Sequence, residues 1–240
     1  MVALAFAPAP QSAASGLSDR VYRLLQRVDF RRADSREDRE EIFRLRYAAY
    51  VREGAIPSHP SERFTDKRDE ASNAWIFGVY IDGELASSIR LHVAFRAQPE
   101  MPALDVFADL LAPEIARGRT VIDPTRFVVD KAASRRYPEL CYVTTRLAIL
   151  ASEYFHADLL LATVRAEHQA FYRRVFGHKL LCEPRHYPSL TKPISLMALD
   201  YPAARERLLQ RHAFLRSTVF ERRMLFARAP QTLLALRPAA

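Results

Sequence analysis

One apolar run in the middle of the chain constrains its fold more than any other segment. Residues 121–130 have the composition of a buried β-strand, but an aspartate, a proline and an arginine interrupt it. Proline has no N–H for a β-ladder, so a strand with Pro124 near its centre is expected at a sheet edge or at a β-bulge. Because bulges are common beside active sites, the run predicts either an irregular strand at a functional site or an edge strand with a surface ion pair.

The spacing of the two charged residues in this run bears on that choice. Side chains alternate between the faces of a strand, so Asp123 and Arg126 would point in opposite directions in a regular strand. One extra bulged residue between them would bring both side chains to the same face. The bulged reading therefore places a charged pair beside an opened backbone.

The rest of the pattern predicts a mixed sheet with flanking helices. Two β-rich runs, 74–81 and 84–93, meet at Asp82-Gly83, which is a strong hairpin signal. Helical spacing of apolar residues follows Ser35 and again follows about Pro138. Further along, the pattern predicts an apolar strand at 158–165 and a helix at 167–176 that ends before Gly177. Two strands at 178–183 and 192–199 follow, and then a basic helix from about 203. The fold class is α/β, in the sense of an α+β mixed sheet.

The domain organisation is expected to be simple. No Pro/Gly-rich linker divides the chain of 240 residues, 49% of which are hydrophobic. We therefore predict one domain over 17–226 that ends in basic helices, with flexible tails at 1–16 and 227–240. No segment resembles a secretory signal or is long enough to span a bilayer, and the two cysteines suit a reducing compartment, so a cytoplasmic protein is expected.

The net charge and the sequence motifs limit which partners and cofactors the chain is expected to bind. The net charge of +8 favours an acidic partner or an anionic ligand. No nucleic-acid-binding motif is present, so nucleic acid ranks below an acidic protein. No cluster has metal-ligand spacing and no glycine-rich phosphate loop occurs, so no metal and no tightly bound cofactor are predicted.

The segment His168–His178, HQAFYRRVFGH, resembles the end of the acyl-transfer motif of the GNAT superfamily, although histidine follows Gly177 where that pattern has an aromatic residue. The resemblance implies a GNAT-like acyltransferase fold with a central twisted sheet, a bulged strand near 121–130 and flanking helices. It also implies that Tyr172 is a catalytic acid that protonates the departing sulfur. A packing role in the core is the alternative for Tyr172.

A narrower resemblance runs from about residue 37 to 200, to the acyl-homoserine-lactone synthases and the FeeM-type N-acyl amino acid synthases. The matching residues, which the resemblance implies to be catalytic or substrate-binding, occur in the same order as in those families: Arg46, Tyr50, Asp66, Asp69, Arg90, Phe107, Asp123, Thr125, Arg126 and Phe127. The lactone synthases have a further aromatic a few residues after the first one, and Val51–Ile56 offers none. The segments 187–193 and 139–154 look more like the N-acyl amino acid synthases, so we expect an amino acid as acyl acceptor.

The residues themselves suggest roles for this chemistry. Asp123 could take the ammonium proton of the acceptor, and backbone donors at a bulge near 125–127 could polarise the thioester carbonyl. Arg90 and Arg126 could hold the acceptor carboxylate. Arg46 lies on an apolar stripe and needs partners if it is buried, for which Asp66 and Asp69 are the natural candidates. For each of these residues a purely structural ion-pair role stays open.

The acyl donor is predicted from the residues at the position of the loop in which GNAT enzymes bind the pyrophosphate of coenzyme A. Lys131, Ser134, Arg135 and Arg136 stand there in place of the usual glycines. We therefore expect these residues to receive an acyl-phosphopantetheine thioester on acyl-carrier protein, which is acidic and brings no nucleotide. The expected reaction is long-chain acyl transfer from this carrier to an amino acid; the alternatives are a lactone synthase that uses S-adenosylmethionine and a non-catalytic binding module. Transient membrane contact through the acylated product is left open.

Overall fold

The computed structural model describes residues 13–187 and 190–228. The predicted tails lie mostly outside these ranges. The first helix begins at Ala13, so the last four residues of the predicted N-terminal tail are helical.

Eight α-helices and seven strands follow along the described chain. The helices are α1 Ala13–Leu25, α2 Arg36–Arg52, α3 Leu104–Ala116, α4 Lys131–Arg136, α5 Leu140–Tyr154, α6 Gln169–Val175, α7 Tyr201–Arg211 and α8 Val219–Phe226. The strands are β1 Val28–Arg32, β2 Ala74–Ile81, β3 Glu84–Ala94, β4 Val121–Val129, β5 Leu159–Val164, β6 Lys179–Leu180 and β7 Ser195–Asp200. The mixed sheet predicted from the sequence is confirmed.

Local signals account for several of these boundaries. The Ser35 hydroxyl caps α2 by accepting the N–H of Asp38 at 3.0 Å, which satisfies a donor that the helix itself leaves unpaired. The β2–β3 hairpin turns at Asp82 and Gly83, both of which have positive φ. The sequence pattern missed α1, and the predicted strand at 178–183 shrinks to the two residues of β6.

All seven strands form one sheet in the order β1-β2-β3-β4-β5-β7-β6. Only β4 and β5 run parallel, and every other neighbouring pair is antiparallel. Helices α1, α5 and α8 contribute to a large apolar cluster on one face of the sheet. Helices α2 and α3 cover the other face with two smaller clusters.

The β4–β5 junction is the opening in this sheet. The two strands pair only at their first residues, where Val121 opposes Leu159 and Ile122 opposes Leu160. Pro124 lies just beyond the last pair and has no N–H with which to continue the ladder. The strands separate from this point, which leaves space between the centre of the sheet and the helices on both sides.

Candidate active site

Strand β4 carries a bulge, as its sequence predicts. Against β3, Arg90 opposes Thr125 and Ser88 opposes Val128, so Ile89 alone faces Arg126 and Phe127. The extra residue lies at Arg126 itself rather than between Asp123 and Arg126, and Arg126 has a left-handed φ of 54°. The edge-strand alternative is wrong, because β4 lies in the middle of the sheet.

The bulge brings charged side chains together on the face that carries α2 and α3. Arg90 donates to the Thr125 hydroxyl at 3.1 Å from the neighbouring strand. Arg126 reaches the Asp66 carboxylate on the same side, with Nη2 2.6 Å from Oδ2. An unbulged strand would have turned Arg126 toward α5.

A cavity of about 530 Å³ occupies the space between the diverging strands. Its walls come from β4, β5, α2, α5 and α6, and most of them are apolar. Six of the predicted catalytic and binding residues line it, namely Tyr50, Thr125, Arg126, Phe127, Ser134 and Tyr172. A mostly apolar cavity with a few polar lining groups has the character of a small-molecule binding site.

Tyr172 lies on α6 and faces this cavity. Its ring packs against Phe171 and His178 at centroid distances of 5.2 and 5.6 Å. Burial raises the pKa of Tyr172 above its ordinary value, so the phenol stays protonated at neutral pH. Gly177 ends the segment at φ 84°, where an added Cβ would lie 2.8 Å from Nη2 of Arg207. The left-handed φ explains why the chain turns at a glycine here, because the flexible end of Arg207 could move away from a Cβ.

Aromatic rings enclose the Arg126 guanidinium on the other side of the cavity. Its central carbon lies 4.2 Å from the centre of the Phe64 ring and 5.6 Å from that of Tyr50. The two rings are themselves in contact, with centroids 4.6 Å apart. Phe64 was missed in the sequence because it belongs to the irregular loop after α2 and no local pattern marks it. It supplies an aromatic side chain that the segment Val51–Ile56 does not.

The predicted acidic and basic residues next to this site form one buried ion network. Arg46 donates to Oδ1 of Asp69 at 2.8 Å, while Nη1 of Arg90 lies 2.6 Å from Asp66 and 3.0 Å from Asp69. Burial alone would raise the carboxyl pKa of Asp66, but Arg90 and then Arg126 hold that pKa well below its usual range. Counting Arg126, three guanidinium groups meet two carboxylates, so the network keeps one excess positive charge. Of the five, only Arg126 lines the cavity.

Asp123 does not line the cavity. Its Oδ2 accepts the backbone N–H of Ala103 at 2.8 Å, at the residue before α3, and its Oδ1 is buried without a partner. Burial raises the pKa of Asp123 to about 7. The Asp123 side chain thus supports the start of α3. Its role as the general base stays a prediction.

Phe107 also lies away from the cavity. It is fully buried in the apolar cluster beneath α3, and the guanidinium of Arg185 covers its ring at 5.3 Å. These contacts are those of a packing residue, and the substrate contact expected of Phe107 stays a prediction. A sequence match cannot separate these two uses of an aromatic residue, because both require the same side chain.

The predicted carrier segment forms the short helix α4 at the cavity mouth. The Asp130 carboxylate accepts the N–H groups of Ala132 and Ala133 at 2.8 and 2.9 Å. Ser134 lines the cavity, while Lys131, Arg135 and Arg136 are exposed. Because an aspartate already occupies the first amides of this helix, they are not available to a pyrophosphate.

The cavity has further polar lining residues that sequence analysis did not assign. Arg165 bridges Glu53 and His168 at its rim, with Nη2 3.0 Å from Nε2 of His168. Cys141 and His178 line its inner part. Burial lowers the pKa of His178 to about 4, so its imidazole is neutral. In the sequence, the position of His178 directly after Gly177 is the one feature that could have indicated its place in the site.

Comparison with known proteins places the chain among acyltransferases. The model of the N-acyl amino acid synthase FeeM family matches residues 41–200. The solved structure of FeeM, an N-acyl amino acid synthase from uncultured soil microbes, aligns with a TM-score of 0.65 and 19% identity, over 77% of this chain and 97% of that one. No curated protein sequence matches.

Two further structures have the same fold. TofI, in a ternary complex with an inhibitor and MTA, aligns with a TM-score of 0.56 and 17% identity over 79% of this chain and all of its own. BjaI, a CoA-dependent acyl-homoserine lactone synthase with SAM and isopentyl-CoA, aligns at 0.55 and 17% over 78% of this chain and 88% of that one. The GNAT-like fold expected from the sequence is confirmed. No helix in the described part of the chain is long and apolar enough to cross a membrane.

Proposed function

This chain belongs to the FeeM family of N-acyl amino acid synthases, and on that premise we propose that it transfers a long acyl chain from acyl-carrier protein to the amine of an amino acid. Acyl transfer itself follows from the family. The cavity between β4 and β5, with Tyr172 on one side and Arg126 on the other, is the observation that carries the proposal.

The donor is proposed from the cavity mouth. Free backbone amides at the start of a helix are a common site for a pyrophosphate such as that of coenzyme A, and Asp130 occupies the first amides of α4. A carrier protein instead needs an exposed basic surface beside an opening for the pantetheine arm. Lys131, Arg135 and Arg136 offer that surface, and Ser134 lies where the arm would enter.

The acceptor is proposed from the opposite side of the cavity. Nε and Nη2 of Arg126 donate to Asp66, and the guanidinium lies at the cavity wall, where a substrate carboxylate would meet it. Tyr50 and Phe64 form an apolar wall next to it. A small molecule with a carboxylate and an amine close together, such as an amino acid, suits this arrangement.

The chemistry then follows the ordinary course of amide formation from a thioester. The neutral amine attacks the thioester carbon, a C–N bond forms, and the C–S bond breaks. Backbone N–H groups released by the bulge at Arg126 polarise the carbonyl oxygen. The protonated Tyr172 gives its proton to the departing thiolate. Asp123 takes the proton of the ammonium group, and since Asp123 does not line the cavity, an intervening group relays this proton.

The first test compares lipids from bacteria that express the protein, its Asp123→Ala variant or an empty vector, by mass spectrometry. An N-acyl amino acid that appears only with the active protein identifies the acceptor and the chain length. An acyl lactone would overturn the amino acid acceptor in favour of S-adenosylmethionine. Because the donor and product are acyl compounds made inside the cell, a cytoplasmic location is part of the proposal.

The second test addresses the catalytic acid with purified components. Acyl-carrier protein and coenzyme A that carry the same acyl chain are compared as donors, and the rate at which each thiol is released is measured. Tyr172→Phe is expected to lower kcat by about a hundredfold, the usual contribution of a general acid. Tyr142→Phe is the matched control, because Tyr142 also packs against Phe171 but does not line the cavity. Equal turnover by both variants would remove Tyr172 as the acid.

A further inference from the structure

Helix α8 presents the most exposed apolar side chains in the described part of the chain. Val219, Phe220 and Met224 are 63%, 73% and 68% exposed, whereas no other large hydrophobic residue exceeds 45%. Phe220 and Met224 are neighbours on one side of the helix because they are four residues apart, and Val219 precedes them at its first position. The opposite side of α8 anchors it, since Leu225 and Phe226 are buried and Phe226 packs against Phe77 at 5.5 Å.

This apolar face is mixed with positive charge. Arg223 lies one turn from both Val219 and Phe220 on the same exposed side of α8. Neither Arg223 nor the exposed Arg216 just before the helix forms an ion pair within the described residues. The one acidic residue of α8, Glu221, is already bound to the buried Arg146.

A basic cavity borders the start of the same helix. It has a volume of about 290 Å³ and is lined by Arg205, Arg216, Arg222, Glu153, Ser217, Leu209 and Leu215. Glu153 is engaged by Arg205, and Arg222 donates one Nη to the Ser217 hydroxyl at 2.9 Å. Two arginines in the lining therefore have no carboxylate partner, which favours an anionic group such as a phosphate.

From these features we propose that α8 docks the protein on an anionic phospholipid membrane. Val219, Phe220 and Met224 enter the boundary between headgroups and acyl chains, and Arg216, Arg222 and Arg223 bind headgroup phosphates. An arginine inside an apolar patch is costly to bury in a protein groove, but at a bilayer surface it keeps its charge among the headgroups. Two helical turns are also too small for a stable protein interface, which needs roughly 800 Å² from each partner.

This membrane contact does not depend on the identity of the acyl donor or acceptor. None of the residues of α8 or of the basic cavity lines the cavity between β4 and β5. The variants that test it are therefore expected to keep their turnover in the absence of membranes. Failure of the proposed reaction and failure of the membrane contact would appear in separate measurements.

The test is sedimentation of the full chain with vesicles of phosphatidylcholine alone or mixed equally with phosphatidylglycerol. We expect binding to the anionic vesicles at least about tenfold stronger than to the neutral ones. Phe220→Ser/Met224→Ser and Arg216→Gln/Arg223→Gln should each reduce that binding about tenfold or more. Matched controls are Leu180→Ser/Leu181→Ser, which removes two other exposed apolar side chains, and Arg23→Gln/Arg36→Gln, which removes two exposed arginines.

Several outcomes would overturn the proposal. These are no binding of the wild type to anionic vesicles, equal binding to both kinds of vesicle, or equal losses in the α8 variants and their controls. Self-association of the wild type in solution that Phe220→Ser/Met224→Ser abolishes, without vesicle binding, would assign the face to a second copy instead. Since the substituted side chains are exposed, thermal unfolding of each variant should match that of the wild type, and Phe220→Gln provides a further uncharged variant that is also expected to weaken binding.

Discussion

At the scale of single residues, Asp66 has the largest influence on the candidate site. Its two oxygens join Arg90 on β3 to Arg126 at the bulge, and its backbone N–H donates to Oδ2 of Asp69 at 3.0 Å. The loop after α2 is thereby fixed against the centre of the sheet. Without this carboxylate, the excess positive charge of the network would rise from one to two in a largely water-free place.

Asp66→Asn is expected to destabilise the protein by about 3–5 kcal/mol, because buried guanidinium groups lose a partner that an amide replaces poorly. Urea unfolding followed by circular dichroism measures the change. Asp29→Asn is the control, since Asp29 belongs to an exposed pair with Arg31 and such pairs contribute less than about 1 kcal/mol. A loss for Asp66→Asn no larger than for the control would mean that the network is not a major source of stability.

Asp123 is expected to give stability a distinctive pH dependence. Its pKa is raised to about 7 in the folded protein by burial, above its value in the unfolded chain, so the folded state binds the proton more tightly. This contribution is fully present below pH 4 and is lost as pH rises toward 7. Asp123→Asn, which cannot ionise, should therefore gain stability relative to the wild type by about 2–4 kcal/mol between pH 4 and pH 8.

Urea unfolding of both proteins at several pH values checks this difference. Changes in other groups cancel in the comparison, including that of His178, whose lowered pKa makes the protein less stable as pH falls from about 6.5 to 4. A difference in stability that does not vary with pH would show that folding does not raise the pKa of Asp123. Turnover measured on the same samples separates this support of the fold from its proposed role as base.

At the scale of elements, the divergence of β4 and β5 defines what the site can hold. Their ladder ends after two residue pairs, and α5 forms the wall of the cavity on the side of the large apolar cluster. Thr145, Ala148 and Ile149 of this helix line the cavity while their neighbours fill the core. The length of acyl chain that fits therefore depends on the small side chains of α5.

Ala148→Phe is expected to shorten the acyl chain that the protein accepts by several carbons, because the added ring enters the cavity. Mass spectrometry of the products from a mixture of acyl-carrier donors gives the chain-length distribution. Thr163→Ser is a conservative control in the same lining. An unchanged distribution with unchanged turnover would show that the acyl chain lies elsewhere.

At the scale of the whole molecule, the net charge of +8 is expected to act on donor binding. Association with an acidic carrier weakens as salt screens the charges, so KM for acyl-carrier protein should rise several-fold between about 50 and 300 mM NaCl. KM for an acyl-pantetheine donor, which lacks the protein part, should stay nearly constant. Steady-state kinetics with both donors measures the difference.

Reversing the charge of selected residues tests which part of the surface causes the salt dependence of KM. Lys131→Glu/Arg135→Glu should raise KM for the carrier about tenfold and remove most of its salt dependence. Arg23→Glu/Arg36→Glu carries the same change of net charge at exposed positions away from α4. Equal effects of the two double variants would show that the carrier responds to overall charge rather than to the surface at the cavity mouth.

The sequence by itself determined the elements whose signals are local. Proline in an apolar run predicts the irregular β4, Asp82-Gly83 predicts the hairpin, and Gly177 predicts the end of α6, since each depends on the conformation of a few adjacent residues. The order of matching residues also predicts the family, and the sequence pairs Arg46 with Asp69 correctly. The contacts of Asp66 with Arg90 and Arg126 are seen only in the structure.

Only the tertiary structure decided which of these side chains face the cavity. Asp123 turns toward the start of α3, Phe107 packs into the apolar cluster beneath α3, and Phe64 closes on Arg126 from a loop without a recognisable pattern. Each of these outcomes depends on contacts between residues far apart in the chain, where packing and hydrogen bonding outweigh local preference. The position of the bulge at Arg126 belongs with them, because it is set by the register of β4 against β3 and not by the residues of β4 alone.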